Sequence, residues 1–296
     1  MKSSYLFKAL LLVGLLALAF KAHAGYDAAT WSPVDIVTDG AGNHYAYWND
    51  PANWNTGVVP TFTNSVDGNL WGVHFAEPAG AIIPCVITNN TQVGQLVVGD
   101  YGGGGYLIIS NGASFTAGTA DGNWTGVGFP NGPGTLYVGA GSVVTLGSHL
   151  WVGNGTGAQG TVIVDGGTLH IPNGQLGVSW NGIGGTNYIT ITNGSTLYMS
   201  QWSSQTLGAP GSGPANIGIM DIEADSQVVI TNNQLGFMNT LFTNNQLIAF
   251  GGLGIVQAIY NPVANTTTLL CWRPITSPPP VSTHQRGGGV GRHGHV

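Results

Sequence analysis

The sequence predicts an all-β protein, a parallel β-helix of about five to seven coils with capped ends. Three observations carry this. Glycine makes up 49 of the 296 residues, more than twice the usual share of about 7%, and each glycine inside a helix costs about 1 kcal/mol. Short apolar-x-apolar triplets recur between Gly, Asn and Ser turns. The turn glycines Gly112, Gly141, Gly166 and Gly194 are spaced 29, 25 and 28 residues apart.

The chain opens with a secretory leader, residues 1–24. Lys2 and Lys8 form a positive start, Ala9–Phe20 is a twelve-residue apolar run, and Ala22-His23-Ala24 is a small-x-small cleavage site. Twelve residues are too few to cross a bilayer, which takes about 20, and no later run reaches that length, so no membrane span is expected. Residues 25–93 form a Trp-rich opening segment and N-terminal cap, with Trp48, Trp54 and Trp71 placed to plug the end of the solenoid.

The repeats and a closing strand occupy 94–272. Each repeat holds three strands. Leu96-Val97-Val98, Leu107-Ile108-Ile109 and Ser114-Phe115-Thr116-Ala117 make the first set. Leu150-Trp151-Val152, Val162-Ile163-Val164 and Thr168-Leu169-His170-Ile171 make the third. A degenerate fifth reads as Ile217-Gly218, Met220-Asp221-Ile222 and Val228-Val229-Ile230. Alternation sends the outer residues of each triplet to one face and the middle residue to the other. One repeat cannot bury its apolar face, but stacked coils can. A β-sandwich also uses short strands, but gives no reason for one three-part pattern to recur. Thr266–Trp272 reads as a last strand closing the far end, and the Pro- and Gly-rich residues 273–296 as a disordered tail.

The pattern Leu-x-Val-Gly, glycine-rich turn, Leu-x-Val, Gly-Gly-Thr-Leu appears in Leu150–Gly153, Val162–Val164 and Gly166–Leu169. It resembles the repeat associated with autotransporter (type V secretion) and PEP-CTERM proteins, closely over 94–200 and loosely over 201–270. Trp48–Pro60 is similar to the Trp-rich segment that often precedes such repeats. The resemblance implies a right-handed parallel β-helix on an exported or surface protein of a bacterium. It brings no catalytic residues with it. The C-terminus departs from the pattern, because the 26 residues after Leu270 are too few for a translocating barrel of eight or more strands.

Charge narrows the function. No Lys or Arg occurs from Ala22 to Trp272, and beyond residue 24 three arginines face twelve acids, a formal charge of −9. Nucleic acid, whose binding needs cationic side chains, is excluded as a partner on this ground. Most of the acids sit singly in Gly/Asn-rich turns and are expected to stay solvated. Asp221, Glu223 and Asp225 alternate with Ile222 and Ala224, so a strand would place three carboxylates on one face. Calcium is the cofactor such a set would take, with water and salt screening as the plainer alternative. Among the outward middle residues, Tyr137, Trp151, His170 and Tyr198 are the candidate ligand contacts, either as sugar-stacking platforms or, more simply, as cross-coil packing. No catalytic residue is assigned. Cys85 and Cys271 read as two buried thiols, with a disulfide as the alternative. The resulting expectation is an exported structural or adhesive protein without catalysis. The alternative is a carbohydrate-binding module or polysaccharide-active enzyme, and in either case the partners would be polysaccharide or cell-surface components.

Overall fold

The computed structural model describes residues 28–62, 72–78, 80–118, 124–129, 131–179, 185–203 and 217–274. The leader, Trp71 and the tail beyond Pro274 lie outside the described residues. The chain opens with β1 (Ala28–Thr30), β2 (Val37–Thr38) and β3 (His44–Tyr47). Successive coils follow. They comprise β4 (Gly72–Phe75), β5 (Cys85–Ile87) and β6 (Thr91–Gln92), then β7 (Gln95–Val98), β8 (Gly105–Ile109) and β9 (Ser114–Ala117). The next are β10 (Thr125–Val127), β11 (Pro133–Val138) and β12 (Val143–Leu146), then β13 (Leu150–Val152), β14 (Gln159–Asp165) and β15 (Thr168–Val178). After β16 (Thr186–Thr192), β17 (Thr196–Trp202), β18 (Ile217–Ile222) and β19 (Gln227–Thr231) comes one helix, α1 (Leu235–Thr243). The described chain ends with β20 (Leu247–Ala249), β21 (Ile255–Asn261) and β22 (Thr266–Trp272).

The strands stack as a parallel β-solenoid of about six turns. A first face runs β1-β4-β7-β10-β13 and into the end of β15, and a second runs β3-β5-β8-β11-β14-β16-β18-β20, all parallel. The third face holds β6, β9, β12, the start of β15, β17 and β19. Because β15 turns the corner without breaking, the first and third faces count as one sheet.

Core columns follow from this register. Leu107, Leu136, Val162, Ile189 and Met220 are successive neighbours on the second face. Phe115, Val144, Leu169, Leu197, Val228 and Leu269 form the matching column on the third. All are buried, and each such side chain stabilises the fold by about 1.5–3 kcal/mol. The corner between β8 and β9 shows why Asn-Gly pairs recur. Asn111 and Gly112 both take left-handed φ (57° and 73°) while Ala113 N–H donates to Ser110 O, which is the two-residue turn that such pairs favour.

Two strand boundaries differ from the sequence reading. Ile217–Ile222 is a single second-face strand instead of two, because nothing between Gly218 and Met220 supplies a turn. The first-face place in that coil falls to Gln201 and Trp202, which pair with Gln175 and Leu176. Parallel stacking also begins upstream of residue 94, in β1, β3, β4, β5 and β6. These strands are two to four residues long and do not display the later repeat.

The two ends are closed differently. Trp31, Trp48, Trp54, Phe75 and Phe115 pack ring against ring at the first end, with centroids 5.1 Å apart for Trp31–Trp54 and 4.7 Å for Trp48–Trp54. At the other end β21 hairpins back into β22, which pairs antiparallel with β19. Cys85 and Cys271 are both free thiols. No helix among the described residues is long and apolar enough to cross a membrane.

Candidate functional site

The four aromatic and histidine candidates fall on three different faces. Trp151 lies on the first, between Gly126 and Gly177. Its ring lies over Gly177, where an added Cβ would meet it at 2.3 Å, and the residue is only 9% exposed. His149 stands beside it at 5.3 Å between centroids, with its Nδ1 accepting from Gln175 N–H. Tyr137 lies on the second face between Ile108 and Ile163. Its hydroxyl donates to Asp165 Oδ2 at 2.5 Å, and Asn193 Nδ2 donates to Asp165 Oδ1 at 2.6 Å. The hydrogen bond to Asp165, then burial, push the phenol up to about 12, and the same two donors hold Asp165 below its usual range.

Only His170 and Tyr198 come together. They are register neighbours on the third face, edge to face at 5.7 Å, and Tyr198 is 41% exposed. Their row continues as Gln92, Thr116 and Thr145 on one side and Val229 and Thr268 on the other.

The acidic triplet does not share one strand face. β18 ends at Ile222, and Ala224 and Asp225 turn with left-handed φ of 40° and 60°. Asp221 Oδ2 accepts from Gly251 N–H at 2.8 Å, and Glu223 Oε2 accepts from Thr192 Oγ1 at 3.3 Å. Burial, and after it the neighbouring Glu223, raise the Asp221 carboxyl against the opposing pull of the Gly251 amide. Among the described residues no three His, Cys, Asp or Glu side chains converge as metal ligands would. The alternation of charge was legible in the sequence, whereas the turn that ends it was not.

Sequence reasoning missed Glu77. Single acids were expected to stay solvated, yet Glu77 is 6% exposed and Asp100 is buried against His74, with Nδ1 to Oδ2 at 2.5 Å. The Glu77 backbone bridges to Gly104, and its Oε1 accepts from Ile83 N–H at 3.0 Å. Its Oε2 is buried and lacks a partner among the described residues. Burial pushes this carboxyl up to about 7, opposed by the Ile83 amide. Beside it opens a cleft of about 470 Å3 lined by the apolar Trp31, Pro33, Pro78 and Ile83 and the polar Thr30, Ser32 and Asn55. Trp31 Nε1 donates to Ile83 O, and Asn55 Oδ1 accepts from Thr30 N–H. The cleft exists only because the opening segment folds over the first coil, which no local pattern signals.

The chain matches no family model, no curated protein and no solved structure.

Proposed function

We propose that the protein is an exported structural or adhesive β-solenoid of a bacterial surface, presenting flat sheet faces to polysaccharide or cell-surface material. One observation carries this reading: the carboxylates with hydrogen-bond partners serve to tie turns and coils together. Asp39 closes its own turn on Asn43, Asp165 joins Tyr137 to Asn193, and Asp221 anchors Gly251. Side chains so engaged support architecture, whereas acid–base catalysis needs such groups poised toward a reacting atom. The secretion-type leader and the long cation-free stretch agree with this reading. The test is a glycan array read with the purified chain beside a turnover assay on every glycan that binds. Retention without release of product supports the proposal, and product release sinks it.

A second reading, a carbohydrate-binding module, is favoured by the cleft at Glu77. Its lining combines apolar side chains with hydroxyl, amide and carboxyl groups, the composition that small polar ligands select. If this reading is right, Asn55→Ala abolishes glycan retention while the fold is kept. Unchanged retention assigns binding to the open faces instead.

A further inference from the structure

The C-terminal hairpin ends the thirteen-stranded sheet on β21, and among the described residues no strand pairs with its outer edge. This seven-residue edge lacks three of the devices that block edge-to-edge pairing. It has no proline, lysine or bulge within it. From Ser226 to Trp272 the chain has no charged residue and no histidine. The first charge beyond, Arg273, is stacked on the Phe250 ring at 4.7 Å.

The faces around this edge are apolar. Outward on β21 stand Ile255, Gln257 and Ile259, opposite Trp272, Leu270 and Thr268 of β22. Ile255, Ile259, Leu270 and Trp272 are all exposed. The inward row is also incompletely covered. Val256 and Ala258 pack on the core but are only half-buried, whereas inward residues of the middle coils are fully buried. The opposite end is packed by its ring cluster.

We propose that β21 is a self-association edge, and that its occupant is β21 of a second copy of this chain, paired antiparallel about a two-fold axis. Charge selects this partner. The molecule as a whole is acidic, so two copies repel, and β21 itself adds no charge to that repulsion, the nearest acids, Asp221, Glu223 and Asp225, acting on Cys271 of the neighbouring β22. An isologous antiparallel pair brings that neutral edge onto itself and supplies main-chain hydrogen bonds without requiring a special sequence. Pairing centred on Ala258 keeps both rows in phase. Gln257 then meets Ile259 on the outer row and Val256 meets Tyr260 on the inner row, and the two half-covered core ends close on each other.

The test is the mass of the purified chain in solution by light scattering and sedimentation. The expected result is twice the chain mass at about 10 µM, with association tightening several-fold as salt rises from about 20 to about 300 mM and screens the acidic remainder. The double variant Gln257→Lys/Ile259→Lys is expected to give one chain mass with unchanged circular dichroism. If it does not fold, Gln257→Lys alone, at an exposed polar position, carries the same test. A wild-type chain that stays monomeric at about 100 µM overturns the proposal, as does a folded lysine variant that still dimerises. If removal of residues 275–296 turns a monomeric chain into a dimer, the chain's own tail covers the edge and the second copy is excluded as its native occupant.

Discussion

Tyr137 and Asp165 are 28 residues apart and sit on adjacent coils, with the hydroxyl and carboxylate 2.5 Å apart. A tyrosine held this way fastens two coils together. The carboxylate's folded-state pKa lies below its ordinary value. The stability it contributes is therefore present above that ordinary value and is lost as pH falls through the folded one. Tyr137→Phe should cost about 1 kcal/mol near neutral pH, and the loss should vanish in strong acid, as chemical denaturation at several pH values would show. The outward position of Tyr137 was legible, because alternation fixes it. The identity of its partner was not, because strand register aligns Tyr137 with Ile163 and the bond runs on the diagonal, two residues further. Trp151 illustrates the same limit. Its outward place was predicted, but its low exposure follows partly from a glycine at the matching position of the next coil, Gly177.

At the scale of the element, the repeat made the middle coils legible and its absence hid the ends. The triplets from Leu96 to Met199 coincide with strands because each inward pair of apolar residues has a buried counterpart one coil above. The upstream strands lack the period, and β18 lacks an internal turn, so there the reading fell short. A second signal in the sequence is a glycine column at the start of the second-face strands. Gly105, Gly134 and Gly160 are register neighbours. At Gly160 an added Cβ would lie 2.3 Å from Val127 O and 2.5 Å from Gly153 N. Both obstacles are backbone, one in β10 and one just past β13, and cannot rotate away. Asn187 stands next to this glycine and accepts from Gly160 N–H at 2.6 Å while its amide donates to Ser179 Oγ at 2.8 Å. Gly160→Ala should therefore destabilise the chain by about 3 kcal/mol or more, the upper range for overpacking a core. A denaturant midpoint within experimental error of the wild type would refute the close-approach account.

Among the described residues four shifted carboxyls fall into two pairs with opposite pH dependence. Glu77 and Asp221 are raised, chiefly by burial, whereas Asp39 and Asp165 are lowered by the hydrogen bonds they accept. A raised carboxyl contributes stability that is fully present below its unfolded value and lost as pH rises through its folded value. For Glu77 that window runs from about 4.5 to about 7. The lowered pair loses its contribution on the acid side. No lysine or arginine offsets these charges between Ala22 and Trp272, so ionisation also adds self-repulsion as pH climbs. Stability should accordingly peak in acid, near pH 4, where the raised pair is still protonated and the lowered pair is ionised, and fall toward pH 8. Glu77→Gln keeps the shape and the acceptor for Ile83 N–H but cannot ionise. It should match the wild type at pH 4 and exceed it at pH 8 by about 1–2 kcal/mol, once solvent screening at the cleft mouth is allowed for. Added salt should narrow the general decline from pH 4 to 8 in both chains, because screening weakens surface repulsion, and should leave most of the difference between them, because that arises from burial. Parallel stability–pH curves for the two chains would show that Glu77 ionises as freely in the folded protein as in the unfolded one, and would remove the buried carboxyl from the account of this end of the solenoid.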